Sequence, residues 1–312
     1  MIWVKVVNPQ DPVLLEVASA LKAGEIAVIP TETVYGLAGN AYDEVAVAKI
    51  FEAKRRPADT PISLLCASTK QAEEACAEFP LVARHLAERF WPGALTLILP
   101  KNPRIPHNVT AGGPTVGVRV PNHPIPRKLA EIASIPLATP SANISGRISP
   151  TRAEDAIAQL GLAPAYVVDS GPAELGIEST VLDISASPPR VLRLGGVGIL
   201  ELSQVVSHVE VAETAIGRRP HYASAVPVVV GIAEHLEPSE AQVRFGAPRR
   251  EGRVWWIGET PQEVAKNFYA VLLELEREGV KKIYIECPPE KEEWAVLKDR
   301  ITRVWQSSRQ TR

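Results

Sequence analysis

The chain has 312 residues, 46% hydrophobic and 22% charged, with a formal net charge of −2. That is the composition of an ordinary globular protein long enough for two domains, and the charge excludes any global attraction to nucleic acid, so an RNA contact must use a local basic patch. Three cysteines, Cys66, Cys76 and Cys287, lack metal-ligand spacing and read as thiols in a reducing compartment.

The start, MIWVKVVNPQDP, lacks a signal-peptide pattern, and no apolar run reaches membrane-spanning length. The expected location is cytoplasmic, with no membrane partner. Residues 2–7 read as a strand, followed by a helix started by Asp11-Pro12 and stopped near Gly24. The buried-strand run 26–29 ends at Pro30 and spills into a polar, Gly-containing loop, Thr31 to Gly39. Asp43 caps a helix ending near Lys54; AKRRPADTP then leads into a strand at 62–66.

Ser68 with Gln71 suggests a capping box, and a helix at about 80–90 precedes strands at 94–99 and 115–120. The second of these strands faces Arg119 away from Val118 and Val120. A helix near 125–133, a strand at 135–139 and a loop from Pro140 to Pro150 follow. Thr151 and Glu154 predict a capping box for a helix at 151–160, with short strands at 165–169, 179–184 and 190–194. The stretch 206–226, containing the basic cluster Gly217 to Tyr222, reads as a linker between domains at 1–205 and 227–312. Beyond it come a strand at 226–230, a loop-rich region, a strand at 254–257, a well-capped helix at 261–278, a strand at 281–286 and a last helix near 290–306. This alternation argues for a small, mostly parallel α/β domain.

Three polar loops each follow an apolar element: Thr31–Tyr35, Lys54-Arg55-Arg56-Pro57, and Thr139 to Arg147. Strand ends are where α/β proteins present ligand sites, but each loop alone also fits a plain junction. The cations could simply complement a helix end, although Pro57 fixes where they point. Ser141, Asn143, Ser145 and Ser149 either bond their own backbone or donate to phosphate and ribose oxygens. No P-loop, GxGxxG after a strand, GxSxG or HExxH occurs. An enzyme acting on phosphates would therefore work through placed cations and neutral donors.

Read together, PTETVYGLAGNA (30–41), IFEAKRRPADTPI (50–62), FWPGALTLILP (90–100), TVGVRVPNHPIPR (115–127), TPSANISGRISPT (139–151), DSGPAELGIESTVLD (169–183) and RVLRLGG (190–196) resemble the YrdC-type threonylcarbamoyl-AMP synthases in their two-domain form. Residues 260–286 resemble the family's second domain more weakly. The resemblance implies an open α/β domain with a twisted mixed sheet and a basic concave cavity, plus a smaller Rossmann-like α/β domain. It implies a nucleotidyltransferase that makes threonylcarbamoyl-AMP and pyrophosphate from L-threonine, bicarbonate (or CO2) and ATP. Mg²⁺ accompanies the ATP, and the product serves tRNA modification beside the anticodon through a downstream threonylcarbamoyl transferase. Contact with tRNA or double-stranded RNA is left open.

By the same resemblance Lys54, Arg56, Ser141 and Asn143 form the four-residue signature, with Lys54 and Arg56 assigned to the ATP phosphates and the other two to the nucleotide. Thr33, Arg119, Thr139 and Ser179 are implied for threonine, Arg119 by two-point pairing with its carboxylate. Thr60, Thr115, Ser149 and Arg193 are implied on the ATP side. Tyr222 of His221-Tyr222-Ala223, in the linker that folds back over the active site, is a nucleotide-contact candidate; Arg218 and Arg219 stand where the family has a Gly-Met-rich lead. Two departures touch the site: Thr60 replaces the usual asparagine, and Leu65 the usual histidine. Two further readings are an RNA-binding protein whose cavity tracks phosphates, and carbamoyl-adenylate chemistry with another acceptor or donor, as in hydrogenase maturation proteins.

Overall fold

The computed structural model of the chain describes residues 1–5, 8–212 and 222–310. The first part runs β1 (Ile2–Lys5), α1 (Val13–Lys22), β2 (Ala27–Ile29), β3 (Gly36–Asn40), α2 (Glu44–Lys54) and β4 (Leu64–Leu65). It continues through α3 (Thr69–Glu74), α4 (Leu81–Phe90), β5 (Leu95–Pro100), β6 (Thr115–Arg119), α5 (Pro124–Ala133), β7 (Leu137–Ala138) and α6 (Ala153–Leu160). Then come β8 (Tyr166–Asp169), β9 (Thr180–Asp183), β10 (Arg190–Arg193), α7 (Ile199–Ser203) and β11 (Glu210–Val211).

These strands form one mixed, eleven-stranded sheet ordered β1-β8-β2-β3-β7-β4-β6-β5-β9-β10-β11 among the described residues. Strand alternation sends β2 and its leading residue to two cores: Ile26 and Val28 join the larger cluster, while Ala27 and Ile29 pack with α1 and α5. Both faces of the sheet are thus covered, and the polar loops at the strand ends are the parts left to form a site.

The second part comprises β12 (Val228–Val230), β13 (Glu240–Arg244), β14 (Gly246–Glu251), β15 (Val254–Gly258), α8 (Pro261–Arg277), β16 (Lys282–Ile285) and α9 (Ala295–Gln310). Its sheet, ordered β12-β16-β13-β15-β14, is parallel except where β14 pairs antiparallel with β15. Thr260 caps α8 through a capping box, the Glu263 carboxylate accepting back from the Thr260 N–H.

Three local expectations are corrected. The region read as loop-rich before 254 holds β13 and β14; the exposed edge strand β14 carries Pro248 and two arginines, a composition suited to an unpaired edge. The Thr151–Glu154 capping box does not form: α6 begins at Ala153 after Arg152, and no side chain caps it. At α3, Ser68 accepts the Gln71 N–H, but Gln71 Oε1 accepts from Ala67 rather than Ser68, which leaves half a box.

The core of the second part is completed by the first. Val34, Ile148 and Ile177 belong to the same buried cluster as Phe268, Leu272 and Ile301. No helix of the described residues is long and apolar enough to cross a membrane.

Candidate active site

A cavity of about 470 Å³ is lined by all three polar loops, together with Arg119, Glu178, Ser179, Arg193 and Tyr222. Pro30 ends β2, and the turn that follows is self-bonded. Thr31 Oγ1 accepts the N–H of Thr33 and Val34 at 3.1 and 3.2 Å and donates to the Val34 carbonyl at 2.6 Å. With that proton committed, the 2.8 Å contact between the two hydroxyls is donated by Thr33. Thr33 Oγ1 in turn accepts from Arg119 Nη1 at 3.1 Å. Tyr35 is not among the lining residues; its buried hydroxyl donates to the Gly171 carbonyl at 2.6 Å, and burial raises its pKa well above the usual phenol range.

Gly36 lets this segment lie against the third loop: a Cβ there would stand 2.4 Å from Thr139 Cγ2. The Thr139 hydroxyl donates to the Leu137 carbonyl at 3.0 Å.

At the end of α2, Arg55 takes the left-handed conformation (φ 50°), which turns the chain so that Lys54 and Arg56 enter the protein while Arg55 stays exposed. Lys54 is only 1% exposed, so the solvated-cation reading fails for it. Its ammonium donates to the carbonyls of Ser141 and, at 2.5 Å, Asn143. Burial, and then the neighbouring Arg56, push its pKa well below the usual lysine value. Arg56 Nε and Nη2 donate to the carbonyls of Thr60 and Pro61 at 3.2 and 2.8 Å. Burial and then Arg193 bring its pKa down to about 10. Cations held this way repel one another and gain from an anion placed between them.

The Ser141 hydroxyl donates to Asn143 Oδ1 at 2.5 Å, and Asn143 Nδ2 donates to the carbonyls of Ile144 and Arg147 at 2.8 and 2.9 Å. The loop is therefore self-bonded, as the first sequence reading has it, and it also lines the cavity. The Ser149 hydroxyl donates to Glu178 Oε1 at 2.7 Å.

Arg119 Nε donates to the Gly93 carbonyl at 2.9 Å, and Nη2 lies 2.7 Å from Glu32 Oε1. Leu65 is its register partner across β4 and β6 and also lines the cavity. Ser179 Oγ meets Thr96 Oγ1 at 2.8 Å and accepts from Arg193 Nη2 at 3.0 Å. Thr60 lines the cavity as well. Thr115 does not; it opens β6 opposite Pro100.

Tyr222 closes one side, stacked on Tyr269 with centroids 5.6 Å apart and planes at 25°. Its neighbour Ala223 bridges to Arg147, whose Nη2 pairs with Glu276 of α8 at 2.8 Å. His221, Arg218 and Arg219 lie outside the described residues.

Sequence reasoning passed over Glu32, Glu178 and Arg300. The first two lie inside quoted segments, where buried acids are indistinguishable from surface ones. Arg300 had a readable signal: it sits on the apolar stripe Leu297, Ile301 and Val304 of α9, where a solvated arginine would not.

No group of three or more His, Cys, Asp or Glu side chains among the described residues could hold a metal ion. Glu178, the cavity's carboxylate, is already engaged by Ser149 and Arg300. The described residues do not make a protein-held Mg²⁺ site.

A mixed α/β sheet presenting recessed cations, neutral donors and a guanidinium, closed by a second α/β unit, defines an enzyme domain shaped for anionic substrates. Residues 19–195 match the family model of the Sua5, YciO and YrdC proteins, described as telomere recombination, and 201–304 match that described as threonylcarbamoyl-AMP synthase, C-terminal domain. The threonylcarbamoyl-AMP synthase of Pyrococcus abyssi is 37% identical over 300 residues, 88% of each chain. That of Bacillus subtilis is 40% identical over 255 residues, 78% of this chain and 74% of its own. The solved structure of P. abyssi Sua5 complexed with L-threonine superposes with a TM-score of 0.88 at 34% identity, covering 98% of both chains. The chain belongs to the two-domain threonylcarbamoyl-AMP synthase family.

Proposed function

We infer that this chain condenses L-threonine, CO2 (from bicarbonate) and ATP into threonylcarbamoyl-AMP and pyrophosphate. The observation that carries this reading is a single cavity joining the Lys54–Arg56 pair and the Ser141–Asn143 loop to the Thr33–Arg119 pair, in a chain whose two halves both match the family. The threonine nitrogen, once neutral, forms a bond to the carbon of CO2 and loses a proton, giving a carbamate. A carbamate oxygen then attacks the α-phosphorus, whose bond to the bridging oxygen breaks as pyrophosphate leaves. Placement and charge stabilisation supply the rate.

In this reading Arg119, Thr33, Thr139 and Ser179 bind threonine, and Lys54, Arg56, Thr60, Ser141, Asn143, Ser149, Arg193 and Tyr222 bind ATP. Mg²⁺ would enter with the ATP, as a counter-charge to its phosphates. The labile adenylate passes to a threonylcarbamoyl transferase acting on tRNA. An RNA-tracking role is less well supported, because Lys54 is buried against carbonyls rather than spread on a surface. The test is pyrophosphate release from ATP and bicarbonate with and without threonine. Release is expected to depend on threonine; an intact, ATP-binding chain without that dependence would sink the reading.

A further inference from the structure

Helix α9, far along the chain, sends one arginine into the wall of the cavity. Arg300 is fully buried. Its Nε donates to Glu178 Oε2 at 3.1 Å, its Nη2 to the Leu194 carbonyl at 2.5 Å, and its Nη1 to the Asp299 carboxylate. The guanidinium also lies over the Tyr222 ring, 4.9 Å from its centroid.

Glu178, Leu194 and Tyr222 come from separate stretches, and each carries a piece of the nucleotide half of the site. Glu178 accepts from Ser149 and adjoins Ser179; Leu194 follows Arg193, whose Nε donates to the Ser179 carbonyl at 3.0 Å. Tyr222 lines the cavity directly. Tyr222 also holds a left-handed backbone (φ 63°), a conformation a tyrosine keeps only when its surroundings impose it.

We propose that Arg300 is a positioning residue for nucleotide binding, an inference that rests on the synthase reading: it fixes Glu178, Leu194 and Tyr222 so that Ser149, Arg193 and the tyrosine ring face the ATP. The second domain is then a working wall of the site rather than a tether. Net stability does not explain the arrangement, since a buried ion pair is often no more stabilising than packed apolar residues of the same volume. Burial pushes the Glu178 carboxyl up, but Arg300 and then Arg193 outweigh it, so its pKa lies below the usual value and the carboxylate stays charged.

The test uses the full chain with Arg300→Met, Arg300→Lys, Glu178→Gln and, as a control, Arg277→Met. Arg277 pairs with Asp155 between α8 and α6, away from the cavity. ATP binding is measured by calorimetry and pyrophosphate release by its KM values, well below every variant's Tm. Arg300→Met is expected to weaken ATP binding about tenfold or more, the scale of one charge-assisted hydrogen bond, with Arg300→Lys in between. Arg277→Met is expected to lower Tm with ATP affinity unchanged. An Arg300→Met chain that loses Tm but binds ATP like wild type overturns the proposal. If that variant does not fold, Glu178→Gln decides, and unchanged ATP affinity there overturns it equally. A wild-type chain that binds ATP but shows no threonine-dependent release would refute the synthase reading while the binding comparison still judges Arg300; one that binds no ATP refutes both.

Discussion

Arg119 and Glu32 form an ion pair 2.7 Å apart with side chains only 6% and 4% exposed, so the guanidinium that faces the cavity is held from behind by a carboxylate. Glu32 Oε1 also accepts the Asn122 N–H at 2.8 Å, while Oε2 is buried with no hydrogen-bond partner among the described residues. Nε and Nη1 are fixed by Gly93 and Thr33, so the arginine is oriented before any ligand arrives.

Lysine cannot reproduce that fork. Arg119→Lys is expected to raise the threonine KM about tenfold or more, with the ATP KM nearly unchanged. Glu32→Ala, which leaves a buried cation unpaired, should cost about 3–5 kcal/mol in urea unfolding. Equal shifts in both KM values would remove Arg119 from the carboxylate role.

Leu65 lies beside Arg119 and offers the cavity no donor. Leu65→His is expected to lower the threonine KM by about 2- to 12-fold, the equivalent of about 0.5–1.5 kcal/mol for one hydrogen bond. Threonine and serine kinetics on both proteins measure the gain; an unchanged threonine KM would show that this position no longer addresses the substrate.

Lys54 gives a pH signature. Its pKa is lowered in the fold, so between that value and the unfolded value the unfolded chain binds more protons, and stability rises with pH through this window. A phosphate beside the ammonium favours the charged form, so ATP binding should take up protons wherever Lys54 is neutral in the free protein. Calorimetry in buffers of different ionisation heat, from about pH 7 to about pH 10, reads the uptake. Buffer-independent heats throughout would contradict the assignment.

Gly195 lies against the backbone of Glu178, Ser179 and Thr180, where the chain enters β9. A Cβ there would sit 2.3 Å from the Glu178 carbonyl oxygen and 2.5 Å from the Thr180 nitrogen, all rigid backbone. Gly195→Ala should destabilise by about 1–3 kcal/mol and, by parting Ser179 from Arg193, weaken ATP binding. An alanine variant with native Tm and native ATP affinity would refute this packing.

The sequence made the polar loops legible together, because Pro, Gly and hydroxyl residues break off an element abruptly; 30–41, 54–61 and 139–149 all reach the cavity. It did not reveal how those groups are held. The Thr151–Glu154 spacing matched a capping box, yet the chain at Thr151 is tied to a distant segment instead, its carbonyl accepting the Ala173 N–H at 2.8 Å. β14 reads as loop because it is an edge strand carrying charge and proline, and β13 because its alternate residues Glu240, Gln242 and Arg244 are polar although Glu240 and Gln242 are buried. Glu32 gained meaning only when packing joined it to Arg119 and Asn122, and Glu178 and Arg300 when packing brought them together from positions 122 apart.

The buried cluster that runs from Phe268 and Leu272 to Val34, Ile148 and Ile177 has a consequence for how the molecule comes apart. The second half cannot shed the first without wetting its own interior. A calorimetric scan should therefore show one endotherm shared by both sheets, and proteolytic nicking should not liberate a folded fragment. Whatever loosens the far helix loosens the catalytic cleft at the same temperature.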